Sequence, residues 1–199
     1  MTTPSSDSPN SAAATTDAAL ADTLLMCVDM QPVFVRAVAE GTSIQKRCAF
    51  ALAAARGLGM PIIFTEQVPD KLGATDPALR ALAPDAPVYP KRTFSVLADA
   101  ATRDAILADG KVQHLLLCGI ETSVCVYQTA LAAREHGLEV TILSDAVSAR
   151  RPDDARACLE ALARAGVHVL PSETIFYAVL HDVKHPFFKA YTQLVKAAS

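Results

Sequence analysis

Short, continuous apolar runs alternate with helical stretches along most of this sequence. The runs begin near residues 24, 61, 114, 140 and 167, and the mixed stretch 88–95 is a candidate edge strand. Apolar runs without polar alternation are typical of central parallel strands, which are covered on both faces. Strands that alternate with helices indicate βαβ units. The sequence therefore predicts an α/β fold, a three-layer αβα arrangement around a doubly wound, mostly parallel sheet of five to six strands.

Glycines and prolines set the limits of the predicted elements. Gly57 and Gly59 end the first helix, and Pro152 stands at the first position of a later one. The predicted helices are 43–58, 77–82, 97–108, 125–136 and 152–165, together with most of 173–196 apart from a break at His185-Pro186. The best-defined predicted strands are 24–28, 60–65, 115–117 and 139–145.

Composition limits the number of domains and the classes of function. The chain has 199 residues, 51% hydrophobic and 20% charged, so a single domain is expected over 22–199. Residues 1–21 contain almost no large apolar side chains and are predicted to be a disordered tail. A formal net charge of -3 offers no basic surface to nucleic acid, and no apolar run reaches the length of a membrane span.

The cysteines bear on the compartment. There are five, an odd number, with no C-x-x-C pair, which is the pattern of neither a disulfide framework nor a zinc ribbon. The first basic residue is Arg36, so the basic n-region of a secretory signal is missing from this sequence. A reducing compartment suits this composition, and cytoplasmic localisation is expected.

One stretch, LLLCGIETSVCVY at 115–127, has the pattern of a strand that turns sharply into a helix. Gly119 breaks the strand, Thr122 or Ser123 is a candidate N-cap, and Cys125 falls on the first helical turn. Unpaired N–H groups and the helix dipole favour the thiolate there. Cys125 is therefore a candidate nucleophile at the carboxyl edge of the sheet, where ligands bind in open α/β folds. The alternative is a small buried residue in a tight strand–helix contact.

Two charged residues stand in a similar relation to predicted strands. Asp29 ends the first strand, where a carboxylate is costly unless it is paired or used, so it is either an acid–base residue or a cap. Lys91, close to Phe94, is either part of the same site or an ordinary surface lysine. Gln31 and Gln67 follow strands at this edge and are candidates for the pocket wall.

Three motifs together resemble the isochorismatase-like cysteine hydrolase family. They are DMQ at 29–31, KRTFS at 91–95 and GIETSVCV at 119–126. The resemblance extends over 23–197, and the C-terminal SETIFYAVLHDVKHPFFK is similar to the isochorismatase-domain-containing branch. It implies a Rossmann-like fold and a catalytic triad of Asp29, Lys91 and Cys125.

The resemblance also implies details of the site. A cis peptide bond is expected between Ile120 and Glu121, where it turns backbone amides toward an oxyanion. The N–H groups of Glu121 and Cys125 are the expected donors. The candidate substrate pocket is formed by Gln31, Phe34, Gln67, Phe94 and Thr122.

Two departures narrow the expected chemistry. Isochorismatases of siderophore pathways lack the cysteine that this chain has, so hydrolysis of isochorismate is not favoured. Nicotinamidases have a D-x-H metal motif after the second strand, whereas this chain has EQVPD, so no metal and no cofactor are expected. The resemblance thus predicts a metal-independent cysteine hydrolase that acts on a small amide-type substrate through a thioester.

Two other classes remain open, a non-hydrolytic thiol sensor and a catalytically silent interaction module on the same fold. Partners other than a small-molecule substrate are expected to be copies of the same chain, since the family forms oligomers. A homo-oligomer, a dimer or higher, is therefore predicted. The apolar residues considered for its interface are Ile175, Phe176, Val179, Leu180, Phe187 and Phe188.

Overall fold

The computed structural model describes residue 20, residues 22–108 and residues 110–198. The predicted disordered tail, 1–21, lies outside the described residues apart from Leu20, which is buried against the core. No helix in the described part of the chain combines the length and the apolarity that a membrane span requires.

Six strands form one sheet in the order β3-β2-β1-β4-β5-β6, and every described pairing in it is parallel. The prediction of a three-layer α/β fold is therefore confirmed. The strands are β1 (Thr23–Val28), β2 (Ile62–Gln67), β3 (Val88–Lys91), β4 (His114–Ile120), β5 (Glu139–Ser148) and β6 (His168–Leu170).

Helices cover both faces of the sheet. They are α1 (Pro32–Val35), α2 (Gly41–Gly57), α3 (Pro69–Leu72), α4 (Pro77–Leu82), α5 (Ala100–Leu107), α6 (Tyr127–Glu135), α7 (Pro152–Arg164), α8 (Ser172–Leu180) and α9 (Phe188–Ala198). Apolar residues of α2, α4, α8 and α9 form a core with one face. Those of α5, α6 and α7 form a second core with the other face. Every residue of β1 is buried, as its continuous apolar run requires.

The sheet order reverses at β1, which pairs with β2 on one side and β4 on the other. The carboxyl ends of β1 and β4 form the crevice where open α/β sheets bind ligands. Gly119 lets β4 approach β1 closely, since a Cβ atom there would lie 2.1 Å from the carbonyl oxygen of Val28. Its φ of +109° also lies in a region that suits glycine.

Several element limits differ from the predicted ones. The strand β2 continues to Gln67 rather than ending near residue 65, and β5 continues to Ser148 rather than 145. The longer β5 pairs with β4 across a register shift between Leu117 and Gly119. The predicted helix 97–108 is divided into a 3-10 turn at Val96–Ala98 and α5, because Asp99 is extended and caps α5.

Candidate functional site

Asp29 follows the last residue of β1 and is nearly inaccessible to solvent. Its φ of 49° turns the chain away from the strand direction. One carboxylate oxygen accepts a 2.7 Å hydrogen bond from the hydroxyl of Thr65, and the other accepts a 2.7 Å hydrogen bond from Lys91 Nζ. The cost of burying this carboxylate is therefore offset by two short polar contacts.

Lys91 is the last residue of β3, two strands away from β1, and its side chain is fully buried. Its ammonium donates to Asp29, to Gln67 Oε1 at 2.6 Å and to the carbonyl of Thr93 at 3.4 Å. The parallel sheet aligns the ends of the three strands, which explains how residues 62 positions apart form an ion pair. Lys91 is thus not the surface lysine that the sequence left open.

Gln67 ends β2 and lies between the two charged side chains and the cysteine. Its Oε1 accepts from Lys91 and lies 4.0 Å from Cys125 Sγ, while its Nε2 donates to the carbonyl of Arg92. Gln31 is fully buried behind it, donating to the carbonyls of Gln67 and Gly73 and accepting from Gln67 N–H. Gln31 was predicted to line the pocket, but its side-chain amide is bonded to backbone groups. It therefore supports Gln67 instead of lining the cavity.

Cys125 lies in a π-helical turn, Thr122–Val126, that leads into α6. The turn begins after Glu121, and neither Thr122 nor Ser123 caps it with its side chain, so the predicted cap is corrected. Burial, followed by the charge of Asp29, raises the pKa of Cys125 to about 12, although Lys91 opposes this shift. The free protein therefore holds a neutral thiol at pH 7, not the thiolate that a first-turn position favours.

The peptide bond between Ile120 and Glu121 is cis, at the position where the motif resemblance implies one. The carbonyl of Glu121 accepts hydrogen bonds from the N–H groups of Val124 and Val126, which fixes the π turn against the end of β4. Thr122 is fully buried, and its hydroxyl has no hydrogen-bond partner among the described residues. Contrary to the prediction, it is not among the residues that line the cavity.

A cavity of about 410 Å³ opens beside Cys125 and Asp29. The expected pocket residues Phe34, Gln67 and Phe94 lie in its wall. Its other lining residues, which sequence reasoning did not assign to the pocket, are Val33, Ala37, Val38, Val124 and Arg150, with Ile120 and Glu121 completing it. Arg150 alone had a signal, since it follows β5 at the same edge. Val33 of α1 and two residues that follow this helix, Ala37 and Val38, had none, because only tertiary packing brings them here.

The donor set does not resemble a metal centre. Among the described residues, no group of three or more His, Cys, Asp or Glu side chains is arranged to hold a metal ion. A second cavity is lined by Lys91 together with Asp70, Arg92 and Asp99, among others. The carboxylate of Asp70 lies 3.6 Å from the guanidinium of Arg92. The site around Cys125 thus combines the buried Asp29–Lys91 pair, the thiol and the side-chain amide of Gln67.

A family model described as the isochorismatase domain matches residues 23–174. The chain belongs to the isochorismatase family. The resemblance that the three motifs indicated is thereby confirmed, and the family's domain contains the cavity and all the side chains that form its floor.

Relatives in the isochorismatase family match over most of the chain. Isochorismatase domain-containing protein 2 of Danio rerio is 36% identical over 174 residues, which are 86% of this chain and 85% of that protein. The structure of the MAR1 ribonuclease of Caenorhabditis elegans is 32% identical, with a TM-score of 0.83, over 89% of this chain and 91% of that one. The YcaC gene product of Escherichia coli, described as an octameric hydrolase of unknown specificity, is 21% identical. Its TM-score is 0.77 over 88% of this chain and 93% of that chain, a likeness of fold.

Proposed function

We propose that this isochorismatase-family protein is a cysteine hydrolase that cleaves a small amide-type C–N bond through Cys125, Asp29 and Lys91. The observation that supports it best is the buried Asp29–Lys91 pair, 2.7 Å apart, whose carboxylate lines the same cavity as the thiol. A buried ion pair contributes little to stability compared with an apolar replacement. Its presence beside a nucleophile in a crevice is therefore better explained by catalysis.

The first step is acylation. Asp29 takes the thiol proton as Cys125 Sγ attacks the carbonyl carbon of the amide, so a neutral resting thiol suits this scheme. The N–H groups of Glu121 and Cys125 hold the developing oxyanion. As the tetrahedral species collapses, Asp29 returns the proton to the leaving nitrogen, the C–N bond breaks and a thioester forms.

The second step is hydrolysis of the thioester. Asp29 removes a proton from water, which attacks the acyl carbon, and the same N–H groups hold the second oxyanion. The C–S bond then breaks and the proton returns to Cys125, so the products are a carboxylic acid and ammonia or an amine. Lys91 donates a hydrogen bond to the Asp29 carboxylate, which positions it, and is itself held by Gln67.

A non-hydrolytic thiol sensor is the first rival. Sensor cysteines are accessible and have a low pKa, whereas burial raises the pKa of Cys125 to about 12. A silent interaction module is the second rival, and it has no use for a buried ion pair at a cavity. Both rivals predict no turnover of any amide.

RNA hydrolysis is a third candidate, because the Caenorhabditis elegans structure is that of a ribonuclease. RNA binding relies on Lys and Arg contacts to phosphates, and this chain has a net charge of -3. We therefore propose small amides as substrates in preference to RNA, and RNA cleavage is included in the test below.

The test is a panel of small amides and esters, with RNA as a separate arm, read by release of ammonia or acid and by fragment size. The wild type is expected to turn over at least one amide, and Cys125→Ala to lose that turnover while its unfolding curve stays unchanged. Cys158→Ala, at a partly exposed cysteine of α7, is the matched control and is expected to keep full activity. Activity is also expected to survive a chelator. Amide turnover that persists in Cys125→Ala would contradict the proposal.

A further inference from the structure

The wall of the cavity is mainly apolar. Seven of its twelve described lining residues have hydrocarbon side chains, and they are Val33, Phe34, Ala37, Val38, Phe94, Ile120 and Val124. Phe94 and Val33 are among the large apolar residues that the described chain exposes, and both are at this cavity. Its volume of about 410 Å³ falls within the range of about 300–1,000 Å³ typical of small-molecule sites. An apolar ligand group would therefore replace water along this wall.

The charges around the cavity cancel in pairs. Asp29, at the floor, is neutralised by Lys91. At the rim, Arg150 Nε donates to both carboxylate oxygens of Glu121, at 3.0 and 3.3 Å, and the N–H of Arg150 lies 3.4 Å from the same group. Ser123 also donates to Glu121 at 3.2 Å. The rim cation is thus already engaged by a carboxylate of this chain.

The Glu121 side chain is the better fixed partner of the rim pair. It is 19% exposed and has bonds from two residues, whereas the Arg150 side chain is 66% exposed. A ligand carboxylate that approached Arg150 would also approach Glu121, at the cost of like-charge repulsion. Arg150 without Glu121 would be an ordinary anchor for anions, since its guanidinium suits carboxylates.

From this pairing we infer that Glu121 is a specificity-determining residue, which neutralises Arg150 and makes the site select uncharged amides with an apolar acyl group over amides that bear a carboxylate. The inference rests on the proposed amide hydrolysis and adds the substrate class to it. The backbone of Glu121 serves the oxyanion in the proposed mechanism, while its side chain has this separate effect on binding.

The first arm of the test measures binding, so that it does not depend on turnover. Cys125→Ala protein is titrated with hexanamide and with adipic acid monoamide, which has a carboxylate in place of the terminal methyl group. Hexanamide is expected to bind at least about tenfold more tightly. Equal affinities, tighter binding of the anionic amide, or no binding of either would overturn the inference.

The second arm changes the rim charges in the same Cys125→Ala background. Glu121→Gln keeps the size of the side chain and frees the charge of Arg150, so the preference for hexanamide is expected to fall by at least about tenfold. Adding Arg150→Gln should restore the preference. A side chain with only a structural role would change both affinities alike, and an unchanged ratio in Glu121→Gln would overturn the inference.

Turnover of the same two amides by wild-type protein separates the proposed hydrolysis from the inferred selectivity. Selective binding of hexanamide without release of ammonia or hexanoate refutes the proposed hydrolysis and leaves the inferred selectivity standing. Turnover with no preference between the two amides supports the proposed hydrolysis and overturns the inferred selectivity.

Discussion

At the scale of single residues, the ammonium of Lys91 is enclosed by oxygen atoms. Asp29, Gln67 and the carbonyl of Thr93 supply them, and the lysine side chain has no exposed surface. Such a cation acts at close range on neighbouring ionisable groups because little water screens it. The thiol of Cys125 is one such group, and Asp29 and Lys91 shift its pKa in opposite directions.

The first prediction concerns the ionisation of Cys125. Burial, followed by the charge of Asp29, raises the pKa of this thiol to about 12, and Lys91 lowers it. Because iodoacetamide reacts with the thiolate, alkylation of Cys125 is expected to accelerate with pH through pH 9 without a plateau. Lys91→Ala is expected to slow the labelling at each pH and Asp29→Asn to accelerate it. Peptide mapping after brief alkylation gives the rates.

The other cysteines provide the controls for this experiment. Cys27, Cys48 and Cys118 are fully buried and are expected to label slowly in the native protein. Cys158 is partly exposed, so Cys158→Ser is a suitable background in which to measure Cys125. A plateau below pH 9, or a labelling rate that Lys91→Ala leaves unchanged, would show that these electrostatics are wrong.

The second prediction concerns Gln67, whose Oε1 holds Lys91. Gln67→Leu keeps the approximate volume and removes a hydrogen bond to a charged group, worth roughly 1.5–3 kcal/mol. Since each 1.4 kcal/mol is about tenfold in rate, kcat is expected to fall about 10- to 100-fold, with a smaller change in KM. Steady-state kinetics measures both. Gln113→Leu, at an exposed glutamine next to β4, should leave both constants unchanged, and equal effects of the two variants would refute the role of Gln67.

At the scale of elements, Asp145 links three of them on the face of the sheet that α2 covers. It lies in β5 and accepts hydrogen bonds from Arg47 of α2 and from the backbone and side chain of Ser172 at the start of α8. Arg47 also stacks over the ring of Phe50, 4.6 Å from its centre. The network is half-buried, so both the strand and the two helices depend on the ionised carboxylate.

The third prediction is the pH dependence of this network. Burial opposes ionisation of Asp145, but hydrogen bonds from Ser172 and Arg47 hold its pKa below the usual value. A lowered folded-state pKa gives stability that is present above the unfolded value of about 3.9 and is lost as pH falls through the folded value. Asp145→Asn should therefore lower the urea midpoint at pH 7, and by much less at pH 3. Asp153→Asn, at an exposed residue of α7, should have little effect at either pH, and a pH-independent effect of Asp145→Asn would contradict the assignment.

The sequence predicted the order of elements and the edge where Asp29, Lys91 and Cys125 lie, because apolar runs and their polar ends are local signals. It did not predict that β5 extends to Ser148, since that extension depends on a register shift in β4. Nor did it predict the π turn, which rests on backbone bonds to the Glu121 carbonyl rather than on a capping side chain. The sequence also did not predict the neutral state of the Cys125 thiol, because burial raises the pKa of this thiol more than its position at the start of a helix lowers it.

At the scale of the whole molecule, the C-terminal segment packs mainly on its own chain. Phe176 and Leu180 are buried in the core, and the other four apolar residues considered for an interface are partly buried against it. Because these side chains pack on their own chain, they give less support for an oligomer interface than the sequence suggested. The large apolar residues that are exposed in the described chain are Val33, Phe94, Leu170, Tyr177 and Val183.

Assembly therefore remains a prediction. Light scattering at micromolar concentration is expected to give a multiple of the 21.0 kDa chain mass. A mass of a single chain over the whole concentration range would contradict it. Leu170→Lys is a suitable second protein for the same light-scattering measurement. It replaces an exposed apolar side chain on the edge strand β6, away from the cavity.

The central claim is that Cys125 forms a thioester with the acyl group of the substrate, and one measurement tests it directly. Wild-type protein is mixed with the p-nitrophenyl ester of hexanoic acid, quenched in acid during turnover and mapped by peptide mass spectrometry. One hexanoyl group is expected on the peptide that contains Cys125, and neither adduct nor turnover is expected in Cys125→Ala. An acyl group found on a different residue, or undiminished turnover by Cys125→Ala, would contradict the account.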